Sequence, residues 1–333
     1  MIILFKTHVD DAKIALIQKS LKVYSRQTIY NGFKGLMISP VFNQELLIPS
    51  DLIEDVIEYS DKLYFTRHEH AQNPFVMNIS GVSIGGAHIA SIAGPCSIES
   101  EEQITQCASL IKKAGGQILR GGAYKPRSSC YDFQGLGLEG LKLLNQAAKA
   151  HGLLCVSELM DSRDLDKFES LVDIIQVGAR NMQNYALLKE LGQSSKPILL
   201  KRGLCATYQE FLSSAEYIMS SGNEQVILCE RGIRTFEQAT RNTLDISAIP
   251  FLKSKTHCPV IIDPSHAIGI RQFVPSLAYA AVAAGADGIM VEVHPSPDES
   301  YSDAKQTIAP DTFADISSKL SEIAKLFGRT FGA

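Results

Sequence analysis

Several classes of protein are excluded by what the sequence lacks. No stretch is apolar for long enough to span a bilayer, and residues 1–7 have neither the basic region nor the long apolar core of a signal peptide. An excess of basic residues is also missing, since the formal net charge is −4 and charged residues make up 20% of the chain. We therefore expect neither a membrane nor a nucleic acid as a partner.

The cysteines do not form the pattern of a disulfide framework or of a redox motif. The seven cysteines are odd in number and scattered, and no two of them have the C-x-x-C spacing. Such usage is typical of proteins in a reducing compartment. We therefore expect a cytoplasmic protein, and we expect the sequence to be full length.

The 333 residues are enough for one barrel-sized domain preceded by a small one. Apolar spacing and turn residues in residues 1–70 predict the element order βαββαβ, which is the ferredoxin-like plan. The predicted elements are a strand at 2–6, a helix at 10–24, strands at 27–30 and 36–38, a helix at 49–59 and a strand at 62–66. No catalytic cluster is evident there, so we expect a regulatory domain.

From residue 89 onward, short apolar strands alternate with helical stretches. The predicted strands are 89–93, 117–120, 153–157, 173–177, 197–201, 225–229, 259–263 and 288–293. Strict alternation of eight strands and eight helices predicts a (β/α)8 TIM barrel over residues 89–333, with an open doubly wound sheet as the alternative. Residues 71–88 are predicted to be a linker and a hairpin, with strands at 75–79 and 82–84, that plugs one end of the barrel.

The most informative stretch is 117–134, where a predicted strand runs into a basic loop. It carries the cations Arg120, Lys125 and Arg127 and the hydroxyls of Ser128 and Ser129. A glycine pair lets the backbone turn sharply or approach a ligand, and a proline stiffens the loop between the charges. This pattern predicts a binding site for one or more anions, and the alternative is an exposed basic turn.

The carboxyl ends of the other strands also carry polar side chains, which fall into two sets. Cys96, His266 and Glu292, with Asp303 in the last loop, form a donor set suited to a divalent transition metal, either manganese, iron, cobalt or zinc. Taken singly, a cysteine is usually a small buried hydrophobe and a histidine after a strand is usually structural. The second set holds the cations Arg120, Lys125, Arg180, Lys201 and Arg231. Five like charges around one cavity favour an anionic ligand such as a phosphorylated carboxylate.

Six motifs in this order resemble those of the 3-deoxy-D-arabino-heptulosonate 7-phosphate (DAHP) synthase family, type I. They are Gly-Pro-Cys-Ser at 94–97, Leu-Arg-Gly-Gly-Ala-Tyr-Lys-Pro-Arg-Ser-Ser at 119–129, Gly-Ala-Arg-Asn at 178–181, Lys-Arg-Gly at 201–203, Asp-Pro-Ser-His at 263–266 and Val-Glu-Val-His at 291–294. The likeness covers roughly residues 75–330, and residues 1–70 resemble the ferredoxin-like regulatory extension of some members. The resemblance implies condensation of phosphoenolpyruvate with erythrose 4-phosphate and release of phosphate, the first step of the shikimate pathway to the aromatic amino acids.

The resemblance also implies a role for each matching residue. Cys96, His266, Glu292 and Asp303 match the ligands of one divalent metal ion. The phosphoenolpyruvate pocket corresponds to Arg120, Lys125, Ala179, Arg180, Lys201 and Arg231. Arg127 and Ser128 match the holders of the aldose phosphate, and members of the family often have Thr where Ser128 stands. Lys125 and Glu158 are candidates for proton transfer, and the alternative for Glu158 is an ion-pair partner of a pocket cation.

Two alternatives to this function stay open at this point. The first is 3-deoxy-D-manno-octulosonate 8-phosphate synthase, which takes arabinose 5-phosphate, but Lys-Pro-Arg-Ser at 125–128 favours the erythrose enzyme because the pentose enzymes typically carry a Lys-Ala-Asn-Arg type of loop. The second is a non-catalytic sensor of Tyr or Phe. For the enzyme we expect feedback inhibition by Tyr or Phe, with residues 1–70 closing over the barrel mouth. By resemblance we expect a homotetramer.

Overall fold

The computed structural model describes residues 1–21, 25–30, 32–38, 48–58, 62–67, 75–127 and 129–332. The chain divides into two compact units, residues 1–72 and 73–333. No helix within the described residues is long and apolar enough to cross a membrane.

The first unit is built on a four-stranded antiparallel sheet. Its strands are β1 (Ile2–Phe5), β2 (Ser25–Tyr30), β3 (Phe33–Ile38) and β4 (Ile53–Ile57), in the order β2-β3-β1-β4. Helix α1 (Asp11–Ser20) joins β1 to β2 and begins after Asp10, whose carboxylate accepts a hydrogen bond from the backbone N–H of Lys13 at 2.7 Å. Ile3, Ile14 and Leu36 lie in the core between the helix and the sheet. This strand order is consistent with the predicted ferredoxin-like domain.

Two of the predicted elements in this unit are wrong. The predicted helix at 49–59 is a single turn of 3-10 helix at Ser50–Leu52 followed directly by β4. The predicted strand at 62–66 lies in no strand, because the fourth strand comes earlier in the chain. The physical reason lies in the β-branched residues Ile53, Val56 and Ile57, which favour extended backbone when a sheet edge is available for pairing.

The second unit is a closed parallel barrel, as predicted. Its strands are β7 (His88–Gly94), β8 (Ile118–Arg120), β9 (Leu154–Glu158), β10 (Ile174–Val177), β11 (Ile198–Lys201), β12 (Val226–Glu230), β13 (Val260–Ile262) and β14 (Gly288–Glu292). Each strand pairs in parallel with the next, and β14 pairs with β7 to close the barrel. The predicted strand ends agree with these to within one residue. Closure excludes the open doubly wound sheet.

Helices follow the strands around the barrel. They are α2 (Glu101–Lys113), α3 (Gly137–Ala150), α4 (Leu165–Leu171), α5 (Tyr185–Leu191), α6 (Tyr208–Ser220), α7 (Ala248–Lys253), α8 (Pro264–Ile268), α9 (Val274–Ala283) and α10 (Pro310–Leu326). The short helix α8 comes directly after β13, and α9 then returns the chain to β14. After α10, the short strand β15 (Thr330–Phe331) pairs with β7.

Apolar side chains fill the barrel interior and its amino-terminal end. Ile92, Ile118, Leu199 and Ile227 belong to one buried cluster on the inner faces of the strands. The hairpin of β5 (Met77–Ile79) and β6 (Val82–Ile84) adds its own apolar side chains to the same cluster. Because aliphatic side chains fill the amino-terminal end of the barrel, the charged side chains of the strands lie at the carboxyl end.

Gly94, at the end of β7, provides a test of how closely the strands approach. A Cβ atom at this position would lie 1.9 Å from the carbonyl oxygen of Arg120. Gly94→Ala is therefore expected to lower the free energy of unfolding by about 3 kcal/mol or more, because backbone has to shift. Gly152→Ala is the control, since a Cβ there meets nothing within 4 Å and only the positive φ of 61° opposes it; its expected cost is about 1 kcal/mol. Urea denaturation of both variants measures the difference, and equal losses would contradict the steric argument.

Candidate active site

A cavity of about 200 Å³ opens at the carboxyl ends of the barrel strands. Its wall is unusually rich in positive charge. Among the described residues that line it, the cations are Arg120, Lys125, Arg127, Arg180, Lys201, Arg231, Arg234 and Arg241. Glu158, Ala179, His266 and Asp303 line the same cavity. The five cations that the sequence placed around one cavity are therefore together.

The barrel explains this concentration of charge. Arg120 and Lys201 are the last residues of β8 and β11, and Arg231 directly follows β12. Arg180 lies in a 3-10 turn directly after β10. Parallel strands end at one edge, so residues far apart in sequence are placed around one opening. The guanidinium groups of Arg180 and Arg234 have no hydrogen bond or ion pair with any described residue, which leaves both free to bind an anion.

Beside the cavity, the predicted metal ligands form one cluster. One donor atom from each of Cys96, His266, Glu292 and Asp303 lies within 4.8 Å of all the others. His266 Nε2 is 3.2 Å from Glu292 Oε1 and 3.7 Å from Asp303 Oδ2. The Sγ atom of Cys96 is 3.5 Å from the same Asp303 oxygen. The spacing and the mixture of sulfur, nitrogen and oxygen donors suit a transition metal ion.

Neighbouring side chains orient two of these residues, His266 and Glu292. Asp263 Oδ2 lies 2.7 Å from His266 Nδ1 and also contacts Lys201 Nζ. With Nδ1 donating to that carboxylate, the Nε2 lone pair of His266 is directed at the cluster. Gln306 donates to Glu292 Oε2 at 2.6 Å, so this ligand is also oriented from behind.

The charge state of the cluster follows from burial and from these partners. Burial raises the pKa of the Cys96 thiol to about 12, and the nearby Glu292 carboxylate adds to the rise. Burial also opposes ionisation of Asp303, yet His266 and Arg241 lower the pKa of that carboxyl to about 2. The Asp303 carboxylate is therefore already charged and able to bind a cation. The Cys96 thiol would have to lose its proton in order to bind a metal ion.

Glu158 and Lys125, the candidates for proton transfer, both lie at the cavity. Lys125 Nζ donates to the Cys96 carbonyl oxygen at 2.9 Å and is 3.0 Å from Cys96 Sγ. Glu158 Oε2 accepts a hydrogen bond from Gln176 at 3.2 Å, and the carboxylate makes no ion pair with any described residue. A role for Glu158 as the ion-pair partner of a pocket cation thus finds no support in the contacts. Ser128 lies outside the described residues.

Several residues of the site were missed by the sequence reasoning. Arg234 and Arg241 belong to the long segment after β12, and Arg241 lies 3.2 Å from Asp303 Oδ2 and donates to Gln306 at 2.6 Å. Asp263 stands in the Asp-Pro-Ser-His motif but was given no role. The signal that could have found Arg234 is its spacing, three residues after Arg231 beyond a strand end. No local pattern distinguishes Gln306 from any other glutamine.

The comparisons with known proteins agree with the fold. The profile of the DAHP synthetase I family matches residues 66–327, which is more than half of the chain. The chain belongs to the DAHP synthetase I family. A relative named phospho-2-dehydro-3-deoxyheptonate aldolase, from Thermotoga maritima, is 46% identical over 278 residues, which is 84% of this chain and 82% of the relative. The chain is therefore an enzyme, a transferase of the 3-deoxy-7-phosphoheptulonate synthase type, and the resemblance seen in the motifs is confirmed.

Solved structures of the family match both units. A crystal structure of the DAHP synthase from Thermotoga maritima covers 99% of this chain and 98% of its own, with a TM-score of 0.81 and 39% identity. A truncated form of the synthase from the same organism covers 81% of this chain and 99% of its own, with a TM-score of 0.76 and 44% identity. A 2-dehydro-3-deoxyphosphooctonate aldolase from Syntrophotalea carbinolica is also similar, at 30% identity over 72% of this chain and 92% of its own.

A buried ionic network lies next to two of the cavity cations, Lys201 and Arg231, along the chain. Arg202, next to Lys201, donates to Glu230 at 2.8 Å and to Asp245 at 2.9 Å. Glu230 is fully buried, and its other oxygen accepts the backbone N–H of Gly232 at 2.6 Å. This network therefore fixes the backbone on both sides of Arg231 as well as the end of β11.

Removing Arg202 is expected to destabilise the whole barrel. Arg202→Met leaves the buried Glu230 carboxylate without its cation, so the free energy of unfolding should fall by about 3 kcal/mol. Arg163→Met, which breaks the exposed pair with Asp161, is the control and should change it little. Urea denaturation followed by circular dichroism measures both, and a similarly small loss for the two variants would contradict a structural role for the network.

Proposed function

We propose that this enzyme condenses phosphoenolpyruvate with D-erythrose 4-phosphate and water, giving 3-deoxy-D-arabino-heptulosonate 7-phosphate and phosphate. The observation that carries the proposal is the cavity in which eight cations adjoin the Cys-His-Glu-Asp cluster. Both substrates are anions, and the attack on an aldehyde is chemistry that a Lewis acid assists. The reaction is the first step of the shikimate pathway, and we place it in the cytoplasm, where the seven unpaired cysteines stay reduced.

Phosphoenolpyruvate is assigned to the cations at the strand ends. It carries a carboxylate and a phosphate, and Arg side chains bind both groups through paired N–H donors. The residues assigned to it are Arg120, Lys125, Arg180, Lys201 and Arg231, with Ala179 beside Arg180. Burial lowers the pKa of Arg231, and the nearby Asp263 carboxylate provides only part of the compensation that the lost solvation requires. An anionic ligand would supply that compensation.

The phosphate of the aldose is assigned to Arg127 and Ser128. Arg127 lines the cavity, and its Nε atom is buried without a partner among the described residues. A buried donor of this kind calls for an acceptor such as a phosphate oxygen. The assignment of Ser128 depends on the Lys-Pro-Arg-Ser motif alone. Because the same loop carries Lys125, it sets the separation of the two substrates.

One divalent metal ion is assigned to Cys96, His266, Glu292 and Asp303. The fit rests on the donor chemistry and on the contacts of Asp263 and Gln306, which point the imidazole and a carboxylate at one position. A metal ion bound there would supply a Lewis acid for the aldehyde oxygen. Manganese, iron, cobalt and zinc all suit this donor set.

The protein's own groups account for the other requirements of the reaction. The cations hold phosphoenolpyruvate so that its C3 faces the aldehyde carbon, and a carbon–carbon bond forms between them. Water then adds to C2, the C2–oxygen bond to phosphate breaks, and the pocket cations stabilise the negative charge. Lys125 Nζ donates a proton to the aldehyde oxygen, and the Glu158 carboxylate accepts a proton from the attacking water.

A phosphate-release assay tests the proposal. With both substrates, the native enzyme should release phosphate, and a chelator should abolish the release until a divalent metal is restored. Cys96→Ala should lower turnover by about 100-fold or more, because a ligand is lost. Cys107→Ala is the matched control, since Cys107 is an equally buried thiol on α2 outside the cluster; it should keep its turnover. Undiminished activity of Cys96→Ala would remove this residue from the ligand set.

The same assay distinguishes the two aldoses. Erythrose 4-phosphate should support turnover, whereas arabinose 5-phosphate should support little. Turnover with arabinose 5-phosphate alone would instead identify the octulosonate 8-phosphate synthase.

Residues 1–72 are proposed to bind a feedback inhibitor, Tyr or Phe, and the enzyme is proposed to be a homotetramer. The first unit has its own hydrophobic core, and the metal-type cluster found among the described residues lies in the second unit. Deleting residues 1–72 should therefore leave an active enzyme that neither amino acid inhibits. Inhibition that survives the deletion would place the inhibitor site on the barrel. Light scattering of the native enzyme tests the tetramer.

A further inference from the structure

The segment that leads into Asp303 is held in an irregular conformation. Residues 300–302 follow the 3-10 turn Pro297–Glu299 and belong to no helix or strand. Asp303 itself has a φ of 54°, in the left-handed region that favours glycine. A non-glycine residue keeps this conformation only where its surroundings determine it. The position of the Asp303 carboxylate therefore depends on what fixes the preceding segment.

Glu99 makes several of the contacts that fix this segment, and the hydroxyl of Ser97 adds another, 2.7 Å from the hydroxyl of Ser302. Its Oε1 atom accepts the backbone N–H of Tyr301 at 2.9 Å and lies 3.4 Å from the hydroxyl of Ser300. The same oxygen accepts the hydroxyl of Ser97 at 3.1 Å. The Glu99 side chain is only 7% exposed, so water competes little with these contacts.

The second oxygen of Glu99 faces His294. The distance from Glu99 Oε2 to His294 Nε2 is 3.4 Å. The Nδ1 atom of His294 accepts the backbone N–H of Ser296 at 3.0 Å, so the neutral ring carries its proton on Nε2, towards Glu99. Cys96 stands three residues before Glu99, and Glu292 two residues before His294. One carboxylate thus connects the three chain segments that carry Cys96, Glu292 and Asp303.

The same segment reaches the basic loop. The guanidinium of Arg127 donates to the Tyr301 carbonyl oxygen at 3.3 Å. The Tyr301 ring also meets the ring of Phe133 edge to face, with centroids 5.5 Å apart. Arg120, Lys201 and Arg231 end or follow barrel strands and make no hydrogen bond or ion pair with residues 300–302 in the described chain. Residues 300–302 therefore connect Asp303 to Arg127, and within the described chain they make no direct contact of this kind with Arg120, Lys201 or Arg231.

We infer that Glu99 is a positioning residue. By holding residues 300–302 it fixes the position of the proposed metal ligand Asp303 and of the Arg127 side chain, which is assigned to the aldose phosphate. The inference rests on the proposed metal and aldose sites. It assigns Glu99 an effect on metal and aldose binding, and not on the binding of phosphoenolpyruvate.

The test uses Glu99→Ala and Glu99→Gln in the full-length enzyme. Cobalt is titrated into each metal-free protein and followed by the visible absorption of the bound ion. Glu99→Ala should weaken cobalt binding by about 10–100-fold, as loss of a group that orients a ligand usually does. Glu99→Gln keeps an acceptor for the Tyr301 N–H and should recover part of the loss. Glu102→Ala, an exposed acidic neighbour on α2, is the matched control and should bind cobalt as the native enzyme does.

Steady-state kinetics at saturating cobalt give the second measurement. The KM for erythrose 4-phosphate should rise in Glu99→Ala, whereas the KM for phosphoenolpyruvate should stay near the native value. Native cobalt affinity in both Glu99 variants would overturn the inference, and so would an equal rise of both KM values, which indicates general loosening of the barrel. If Glu99→Ala does not fold, Glu99→Gln alone decides in the same way.

Failure of the proposed function gives a different result. In that case the native enzyme itself would bind no cobalt, or Cys96→Ala would bind it as tightly as the native enzyme. Native binding that Cys96→Ala abolishes and Glu99→Ala leaves intact would overturn only the role of Glu99.

Discussion

The candidate active site depends on contacts that pair three members of the Cys-His-Glu-Asp cluster with one cation each. The three pairs are Cys96 with Lys125 at 3.0 Å, Glu292 with Arg120 at 2.8 Å and Asp303 with Arg241 at 3.2 Å. The carboxylates of Glu292 and Asp303 would repel each other strongly without such partners, and so would the cations. Each set of charges therefore stabilises the other.

The barrel makes this arrangement possible by separating stability from chemistry. Its interior and amino-terminal end are packed with aliphatic side chains and covered by the β5–β6 hairpin. The carboxyl ends of the strands then carry charged residues on loops whose roots are fixed by the sheet. The buried ion pair of Arg202 and Glu230, at the ends of β11 and β12, adds to this rigid support.

The sequence predicted the barrel closely because each strand is a short apolar run that ends at a charged or polar residue. That same boundary identified Arg120, Lys201, His266 and Glu292, since a strand end in a barrel is also a position at the site. In residues 1–72, by contrast, the acidic stretch around Asp55 resembled a helix, and only pairing with β1 makes it a strand. The local sequence pattern does not show which other strand a segment will pair with.

Site residues on long loops could not be predicted from the sequence, for a related reason. Arg241 and Gln306 meet Asp303 through the folding of two irregular segments that no periodicity marks. Glu99 looks like an ordinary acidic residue before a helix, and its contacts with residues 300–302 span about two hundred positions of the chain. Motif reading finds groups that lie at strand ends and misses those that meet only in three dimensions.

Asp263 has a consequence for how this enzyme can change over generations. One of its oxygens contacts both the imidazole of His266 and the ammonium of Lys201. With His266 assigned to the metal and Lys201 to phosphoenolpyruvate, as proposed above, a mutation that moves the imidazole also changes the surroundings of the ammonium group, and the reverse holds as well. A change at either proposed site therefore calls for a compensating change elsewhere around the cavity.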